Sequence, residues 1–198
     1  MRTVGFDYDG VLANSRSAAW NAAERILASF GMVASIDSSD AMEAAFGHAA
    51  QNALVGVEYA GALRMMHRLQ MRHHARDFEL FEDAIAVVAK IGVPRILVTA
   101  ALADGVVTRL GSATRLFDEI VGFESGRKPD LLAQRAGKLG VYVTDAVSDI
   151  ETCKALALPV IACTWGTYDN PKMLAAARPD AVANNAAELI SAINYFVH

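Results

Sequence analysis

The stretch Val4-Gly5-Phe6-Asp7-Tyr8-Asp9-Gly10 gives the clearest structural signal in the chain. A short apolar run that ends in two carboxylates and a glycine is typical of a buried strand that stops at a turn. Gly10 permits the turn because glycine adopts backbone conformations that other residues avoid. We therefore predict a first strand over residues 4–8, with Asp7 and Asp9 facing one site at its carboxyl end.

The same alternation of a short apolar run and a helical pattern recurs along the chain. Brief, continuously apolar runs favour buried parallel strands, and their alternation with helices predicts an α/β fold with a doubly wound (Rossmann-like) parallel sheet. The further strands are predicted at Arg95–Thr99, Glu119–Phe123, Val141–Thr144, Val160–Thr164 and Ala181–Ala183. The helices are predicted at Phe81–Ile91, Asp104–Leu110, Asp130–Lys138, Asp149–Leu156 and Ala186–Tyr195.

One region interrupts this alternation. Residues 15–77 show helical patterning and no convincing strand, with Ser17 as the N-cap of a first helix, a second helix after Ser38-Ser39-Asp40, and a third over Tyr59–Arg76. We expect a helical cap at 15–77, inserted after the first strand of a core made of residues 1–14 and 78–198.

Composition excludes several classes of protein. The chain has 198 residues, of which 54% are hydrophobic, so it is not a disordered protein. A net charge of -4 gives no broad attraction for nucleic acid or for an anionic membrane surface. The two cysteines do not make a disulfide framework, and we find neither an apolar signal segment nor a run long enough to cross a bilayer. We therefore expect a cytoplasmic protein. We also expect it to be a monomer or a homodimer.

Polar side chains follow four of the predicted strands. In open α/β sheets the carboxyl ends of the strands form the edge where ligands bind. A simple turn, a surface lysine or a helix N-cap would explain each position taken alone. The four positions, in chain order, are Asp7-Tyr8-Asp9-Gly10, Thr99, Lys128-Pro129-Asp130 and Asp145 with Asp149.

This ordered set resembles the four signature motifs of the haloacid-dehalogenase superfamily. Trp165-Gly166 and a helical insertion after the first motif are similar to its phosphoglycolate-phosphatase-like branch. The resemblance implies a magnesium-dependent phosphatase that hydrolyses a small phosphorylated metabolite through an aspartyl-phosphate intermediate.

The resemblance also implies a role for each matching residue. Asp7 is the nucleophile and Asp9 the general acid and base. Magnesium binds a side-chain oxygen of Asp7, the backbone carbonyl of Asp9 and the carboxylate of Asp145, while Asp149 orients a metal-bound water or Lys128. The phosphoryl group is held at Gly10, Thr99, Ala100 and Lys128.

The sequence departs from the family pattern at two of these sites. Ala100 stands where an asparagine is frequent, so a hydrogen bond near the phosphate is absent. Thr144 replaces the usual glycine before Asp145 and is expected to tighten the metal loop. Neither departure removes a catalytic group.

Residues of the cap bear on the substrate. His48 is the best single candidate for a substrate contact, because related caps bring a loop toward the active site there. Arg64, Arg68, Arg72 and Arg76 recur every four residues, which is more typical of a solvated helix face than of an anion site.

Three other functions use the same fold and stay open. A 2-haloacid dehalogenase needs neither a metal nor a second carboxylate, so Asp9, Asp145 and Asp149 argue against it. A phosphosugar mutase shares every core residue, and a non-catalytic binding protein is the third alternative. A two-component receiver domain fits poorly, because there the lysine follows the whole acidic set.

Overall fold

A six-stranded parallel sheet forms the centre of the protein in a computed structural model that describes residues 2–29, 57–167 and 171–198. Its strands are β1 (Thr3–Phe6), β4 (Arg95–Val98), β5 (Glu119–Val121), β6 (Leu139–Thr144), β7 (Val160–Cys163) and β8 (Ala181–Ala183). The strand order is β5-β4-β1-β6-β7-β8, and every neighbouring pair is parallel.

Helices cover both faces of this sheet, as alternating side chains of the strands require. Val4, Phe6 and Val143 belong to one buried cluster, whereas Val98 and Tyr142 belong to a second cluster. The helices are α1 (Arg16–Ser29), α2 (Val57–His73), α3 (Glu82–Lys90), α4 (Ala103–Leu110), α5 (Lys128–Arg135), α6 (Val147–Ala155), α7 (Pro171–Ala176) and α8 (Ala186–Val197).

The doubly wound parallel sheet predicted from the sequence is confirmed. All six predicted core strands are present, and no strand end differs from its predicted position by more than two residues. Within the described ranges, no helix is long and apolar enough to cross a membrane.

A short antiparallel pair of strands was not predicted. β2 (Ala13–Asn14) pairs with β3 (Glu79–Leu80), Ala13 opposite Leu80 and Asn14 opposite Glu79. Two-residue strands have no periodicity to detect, because alternation needs at least four residues. The pair joins the chain on either side of residues 15–77, the segment expected to form the cap.

Several predicted helix boundaries were wrong. The first helix begins at Arg16, so Ser15 precedes it and Ser17 lies in its first turn, not at the N-cap. α5 begins at Lys128 itself, with Pro129 in its first turn, and not at Asp130. Helix α7 was missed. The predicted helix after Ser38-Ser39-Asp40 lies outside the described residues.

Candidate active site

The order of the central strands brings the sequence-predicted groups to one edge of the sheet. β1 lies between β4 and β6, so the residues that follow these strands are neighbours at their carboxyl ends. Asp7 follows β1, Thr99 follows β4 and Asp145 follows β6. All three side chains are buried. This point of the sheet is the crevice in which doubly wound folds bind ligands.

Lys128 lies between two of the carboxylates. Its Nζ is 2.6 Å from Asp7 Oδ2 and 2.5 Å from Asp149 Oδ2. The lysine occupies the start of α5, where Pro129 fixes the backbone direction of the first turn. Asp149 lies in the first turn of α6, so two helix starts converge on Asp7.

Burial and mutual repulsion dominate the electrostatics of this cluster. Burial raises the pKa of Asp7 to about 7, although Lys128 acts in the opposite direction. Burial and the charge of Asp7 raise the pKa of Asp145 well above its ordinary value. Burial alone would lower the pKa of Lys128, but Asp149 and Asp7 together raise it above its ordinary value. The lysine therefore stays charged among the carboxylates.

Asp9 occupies a separate environment from Asp7. Burial raises the pKa of Asp9, while a hydrogen bond from Ser15 opposes the rise. One oxygen of Asp9, Oδ1, is buried and has no hydrogen-bond partner within the described residues. His67 of α2 is close enough to stabilise the Asp9 carboxylate when the ring is protonated, although burial lowers the pKa of His67. Its Nε2 lies 3.3 Å from the Ala19 carbonyl oxygen. A carboxyl group with a raised pKa and one free oxygen is suited to holding and moving a proton.

Thr144 is a member of the site that sequence reasoning treated only as a departure from the family pattern. Its hydroxyl donates to Asp149 Oδ2 at 2.7 Å and lies 3.3 Å from Asp7 Oδ2. The Thr144 Oγ1 atom also accepts a hydrogen bond from the Ala146 N–H at 3.2 Å. Thr144 is fully buried, so these bonds are its means of satisfying the hydroxyl. The sequence signal for this role was a threonine that stands at the end of an apolar run and directly before Asp145.

Gly10 and Gly166 allow the first motif to approach the fourth. Gly10 has φ of +70°, and a Cβ there would lie 1.8 Å from Asp145 Oδ2. A Cβ on Gly166 would lie 2.3 Å from the Gly10 carbonyl oxygen. Trp165 secures the same loop, because its Nε1 donates to the Val11 carbonyl oxygen at 3.1 Å. The Trp165-Gly166 pair thus supports the loop that follows Asp9.

Thr99 has a hydroxyl proton available for a ligand. Its Oγ1 accepts a hydrogen bond from the Ala101 N–H at 3.0 Å, which leaves the proton free to point elsewhere. Ala100 is exposed and contributes no polar side chain, so an asparagine-type contact is absent here. The loop at residues 99–101 nevertheless lies at the same edge as Asp7, because β4 and β1 are neighbours.

Arg68 and Arg72 of α2 contact residues that follow β4. Arg68 Nε donates to the Ala100 carbonyl oxygen at 2.9 Å. Arg72 Nη2 is 2.6 Å from Asp104 Oδ2 on α4. Arg72 is exposed, as expected for a solvated helix face, whereas Arg68 is partly buried. His48 lies outside the described residues.

The buried oxygen-rich cluster fits a magnesium ion. Lys128 contacts the carboxylates of Asp7 and Asp149, and burial together with the charge of Asp7 raises the pKa of the neighbouring Asp145. Across the ranges that the structure describes, no three His, Cys, Asp or Glu side chains are arranged to hold a metal ion. Magnesium usually takes one or two protein carboxylates and completes its shell with water. Asp7, Asp145 and the Asp9 carbonyl would supply that number.

The structure brings together every predicted site residue that it describes. Asp7, Thr99, Lys128, Asp145 and Asp149 meet at the carboxyl edge, and Asp9 and Gly10 form the adjoining turn. Asp149 binds Lys128, which matches the second of the two roles expected for it. The catalytic and metal-binding roles themselves remain predictions.

Comparisons with known proteins found similar solved structures but no significant match at the level of sequence. No family model matches the sequence, and no curated protein matches it significantly.

Solved structures with the same architecture are numerous. A haloacid-dehalogenase-like hydrolase of Streptococcus pneumoniae superposes with a TM-score of 0.78 at 18% identity, covering 98% of each chain. A protein of Clostridium acetobutylicum, described as a predicted phosphatase, gives 0.80 at 16% identity, again over 98% of each chain. One of Haemophilus somnus, described as a predicted phosphoglycolate phosphatase, gives 0.73 at 18% identity and 98% coverage of both chains.

These likenesses define the class of fold. The chain has the fold of the haloacid-dehalogenase-like hydrolases, over nearly its whole length. The sheet order and the position of Asp7 after β1 agree with the resemblance drawn from the four motifs.

Proposed function

We propose that the protein is a magnesium-dependent phosphatase, similar to phosphoglycolate phosphatases, that hydrolyses a small phosphomonoester. The observation that carries this proposal is the position of Lys128, 2.6 Å from Asp7 and 2.5 Å from Asp149 at the carboxyl edge of the sheet. An anionic nucleophile can approach an anionic phosphate only when positive charge lies between them. Lys128 supplies part of that charge beside Asp7.

The reaction proceeds in two displacements at phosphorus. An oxygen of Asp7 forms a bond to phosphorus while the bond to the ester oxygen breaks, and Asp9 gives its proton to the departing oxygen. Water then attacks the aspartyl-phosphate, and Asp9 takes a proton from that water. The bond between phosphorus and Asp7 breaks, which releases inorganic phosphate and restores both carboxyl groups.

The separation of the two carboxyl groups suits these different tasks. Burial raises the pKa of Asp7 to about 7, and its pairing with Lys128 opposes that rise and so favours the charged, nucleophilic form. Burial raises the pKa of Asp9, which favours the protonated form that the leaving oxygen needs. The Ser15 hydrogen bond and the charge of Lys128 oppose that rise.

Other groups at the edge grip the phosphoryl oxygens. The donors that follow β4 are the Thr99 hydroxyl and the backbone amides near Ala100. The donor at the start of α5 is the Lys128 ammonium. Asp7, Asp145 and the Asp9 carbonyl would hold magnesium, which when bound offsets the charge of the transferring phosphoryl group. Asp149 and Thr144 keep Lys128 in place.

Residues 15–77 act as the cap in this proposal. β2 and β3 pair at the two ends of that segment, and α2 contacts the loop at residues 99–101. A cap over the carboxyl edge limits the size of substrate, so we propose a small phosphorylated metabolite as the ligand. The cytoplasmic location and the monomer or homodimer remain predictions from the sequence.

Phosphate release from p-nitrophenyl phosphate, with and without Mg²⁺, tests the proposal. Asp7→Asn should abolish release because an amide is not a nucleophile here, and Asp9→Asn should slow it by about 100-fold or more. Asp83→Asn, an exposed carboxylate in α3, is the matched control and should behave like the wild type. Activity that survives Asp7→Asn would end the proposal.

A phosphosugar mutase shares this chemistry up to the phospho-enzyme. With a sugar phosphate as substrate, transfer of the phosphoryl group back to the sugar would identify a mutase, whereas release to water identifies a phosphatase. ³¹P NMR of the products separates the two. A screen of phosphorylated metabolites then identifies the substrate.

A further inference from the structure

Arg68 links the cap helix to the loop that follows β4. It lies on α2, and its Nε donates to the Ala100 carbonyl oxygen at 2.9 Å. The guanidinium carbon also lies 3.7 Å from the centroid of the Phe123 ring, a distance typical of a cation–π contact. One side chain therefore touches two core segments that follow neighbouring strands, β4 and β5.

The loop at residues 99–101 is held by bonds on each of its residues. Thr99 N–H donates to the Val121 carbonyl oxygen at 3.0 Å, and Ala101 N–H donates to Thr99 Oγ1 at 3.0 Å. The Ala101 carbonyl oxygen accepts from Phe123 N–H at 2.9 Å. The Ala100 carbonyl accepts from Arg68. The Ala100–Ala101 peptide is thus oriented from one side by the cap and from the other by Thr99.

The hydrogen bond from Arg68 is important for the orientation of this peptide because residue 100 is an alanine. Alanine has no side-chain group that could hydrogen-bond within the loop, and Ala100 is exposed. The peptide plane is rigid, so a donor that fixes the Ala100 carbonyl also fixes the Ala101 N–H. Phe123 strengthens the restraint, because its ring holds the guanidinium plane and its N–H binds the adjacent carbonyl.

We propose that Arg68 is a positioning residue, which orders the phosphate-holding loop at residues 99–101 from the cap helix. The loop reaches its working geometry when α2 is seated on the core. The kinetic consequence rests on the proposed phosphatase function, whereas the ordering of the loop does not.

Arg72 provides a matched control on the same helix. It joins α2 to α4 through Asp104 at 2.6 Å and packs against Gly105, so it also links cap and core. Both of these contacts are with α4, and neither involves residues 99–101. Removing Arg72 therefore tests the general effect of loosening the helix, and removing Arg68 tests the loop.

Steady-state kinetics of Arg68→Met, Arg68→Lys and Arg72→Met is the first measurement. We expect Arg68→Met to lower kcat by about 10-fold to 100-fold with KM within about threefold, because misplaced phosphate donors act on the transition state. Arg68→Lys keeps a charge and a donor and should recover part of the loss. Arg72→Met should keep kcat within about twofold. A raised KM with unchanged kcat in Arg68→Met, or an equal loss in Arg72→Met, would overturn the proposal.

Amide hydrogen exchange followed by NMR is the second measurement, and it needs no activity. The Ala101 N–H should exchange at least about tenfold faster in Arg68→Met than in the wild type, with no change in Arg72→Met. An unchanged Ala101 rate in Arg68→Met, or equal acceleration in both variants, refutes the positioning role. If the wild type hydrolyses no phosphomonoester while this exchange pattern holds, the proposed function fails and the role of Arg68 in the loop stands.

Discussion

Thr144 shows how one hydroxyl can connect two acidic motifs. It is the last residue of the buried strand β6 and binds Asp149, whose carboxylate in turn binds Lys128. The usual glycine at this position would leave Asp149 without that donor. The threonine is therefore part of the support for Lys128, and it also lies near Asp7.

Thr144→Val should lower kcat by about tenfold, which corresponds to the loss of about one buried hydrogen bond. Valine keeps the shape but leaves Asp149 Oδ2 and the Ala146 N–H each without one partner. Steady-state kinetics, with circular dichroism to check folding, is the measurement. Thr152→Val, which loses a hydroxyl on the exposed side of α6, is the control. A folded Thr144→Val variant with wild-type kcat would show that the hydroxyl is dispensable.

Gly10→Ala should reduce kcat/KM by about 100-fold or more, because the new Cβ would lie 1.8 Å from Asp145 Oδ2 and displace that carboxylate. The positive φ adds roughly 1–2 kcal/mol of strain to the folded state. Kinetics and thermal unfolding measure the two effects. Gly92→Ala is the control, since a Cβ there meets open space. An active Gly10→Ala enzyme would contradict the close packing of the two motifs.

At the opposite, amino end of the sheet, one side chain links several elements. Asp180, just before β8, accepts the Val160 N–H at 2.9 Å and binds Lys154 Nζ of α6 at 2.9 Å. One carboxylate thus joins β7, β8 and α6. Burial would raise the pKa of Asp180, but the Lys154 and Val160 hydrogen bonds lower it below its ordinary value.

A lowered pKa in the folded state means that the Asp180 carboxylate stabilises the protein above its unfolded-state pKa. Asp180→Asn should cost about 1 kcal/mol of unfolding free energy at pH 7. The difference from the wild type should shrink as the pH falls below about 4, where the wild-type carboxylate becomes protonated. Urea denaturation at several pH values measures it, with the exposed Glu151→Gln in α6 as control. A difference that is independent of pH would contradict this assignment.

The whole protein carries a stability cost for its active site. Buried carboxylates with raised pKa values oppose folding when they are charged, and a bound cation would relieve that opposition. The site is a region where local electrostatics and global stability conflict, as they often do at functional sites.

Mg²⁺ should therefore raise the unfolding free energy by about 2.7 kcal/mol at a concentration 100 times its Kd, and EDTA should remove the gain. Asp145→Asn should abolish the response, because it removes one proposed ligand, without destabilising the metal-free protein. Asp180→Asn, which is remote from the site, should keep the full response. Thermal unfolding with a metal titration measures these effects. A full Mg²⁺ response in Asp145→Asn would exclude Asp145 as a ligand.

Local signals in the sequence were enough for the core of the fold and the composition of the site. Each central strand contains a continuous apolar run, and Asp7, Thr99 and Asp145 each follow their strand directly. Asp7, Thr99 and Asp145 could be grouped because carboxyl ends of parallel strands always meet at one edge. For that reason, the proximity of Asp7 and Asp145 could be predicted without any measured distance.

Contacts between distant parts of the chain could not be found in this way. Thr144 and Asp7 are 137 positions apart, and Arg68 meets Ala100 across 32 positions. Such contacts depend on strand register, helix rotation and rotamers, which leave no periodic pattern in the sequence. The amino-acid order thus fixed which groups reach the edge, and three-dimensional packing set which of them bind one another, since hydrogen bonds act over a few ångströms of space regardless of separation along the chain.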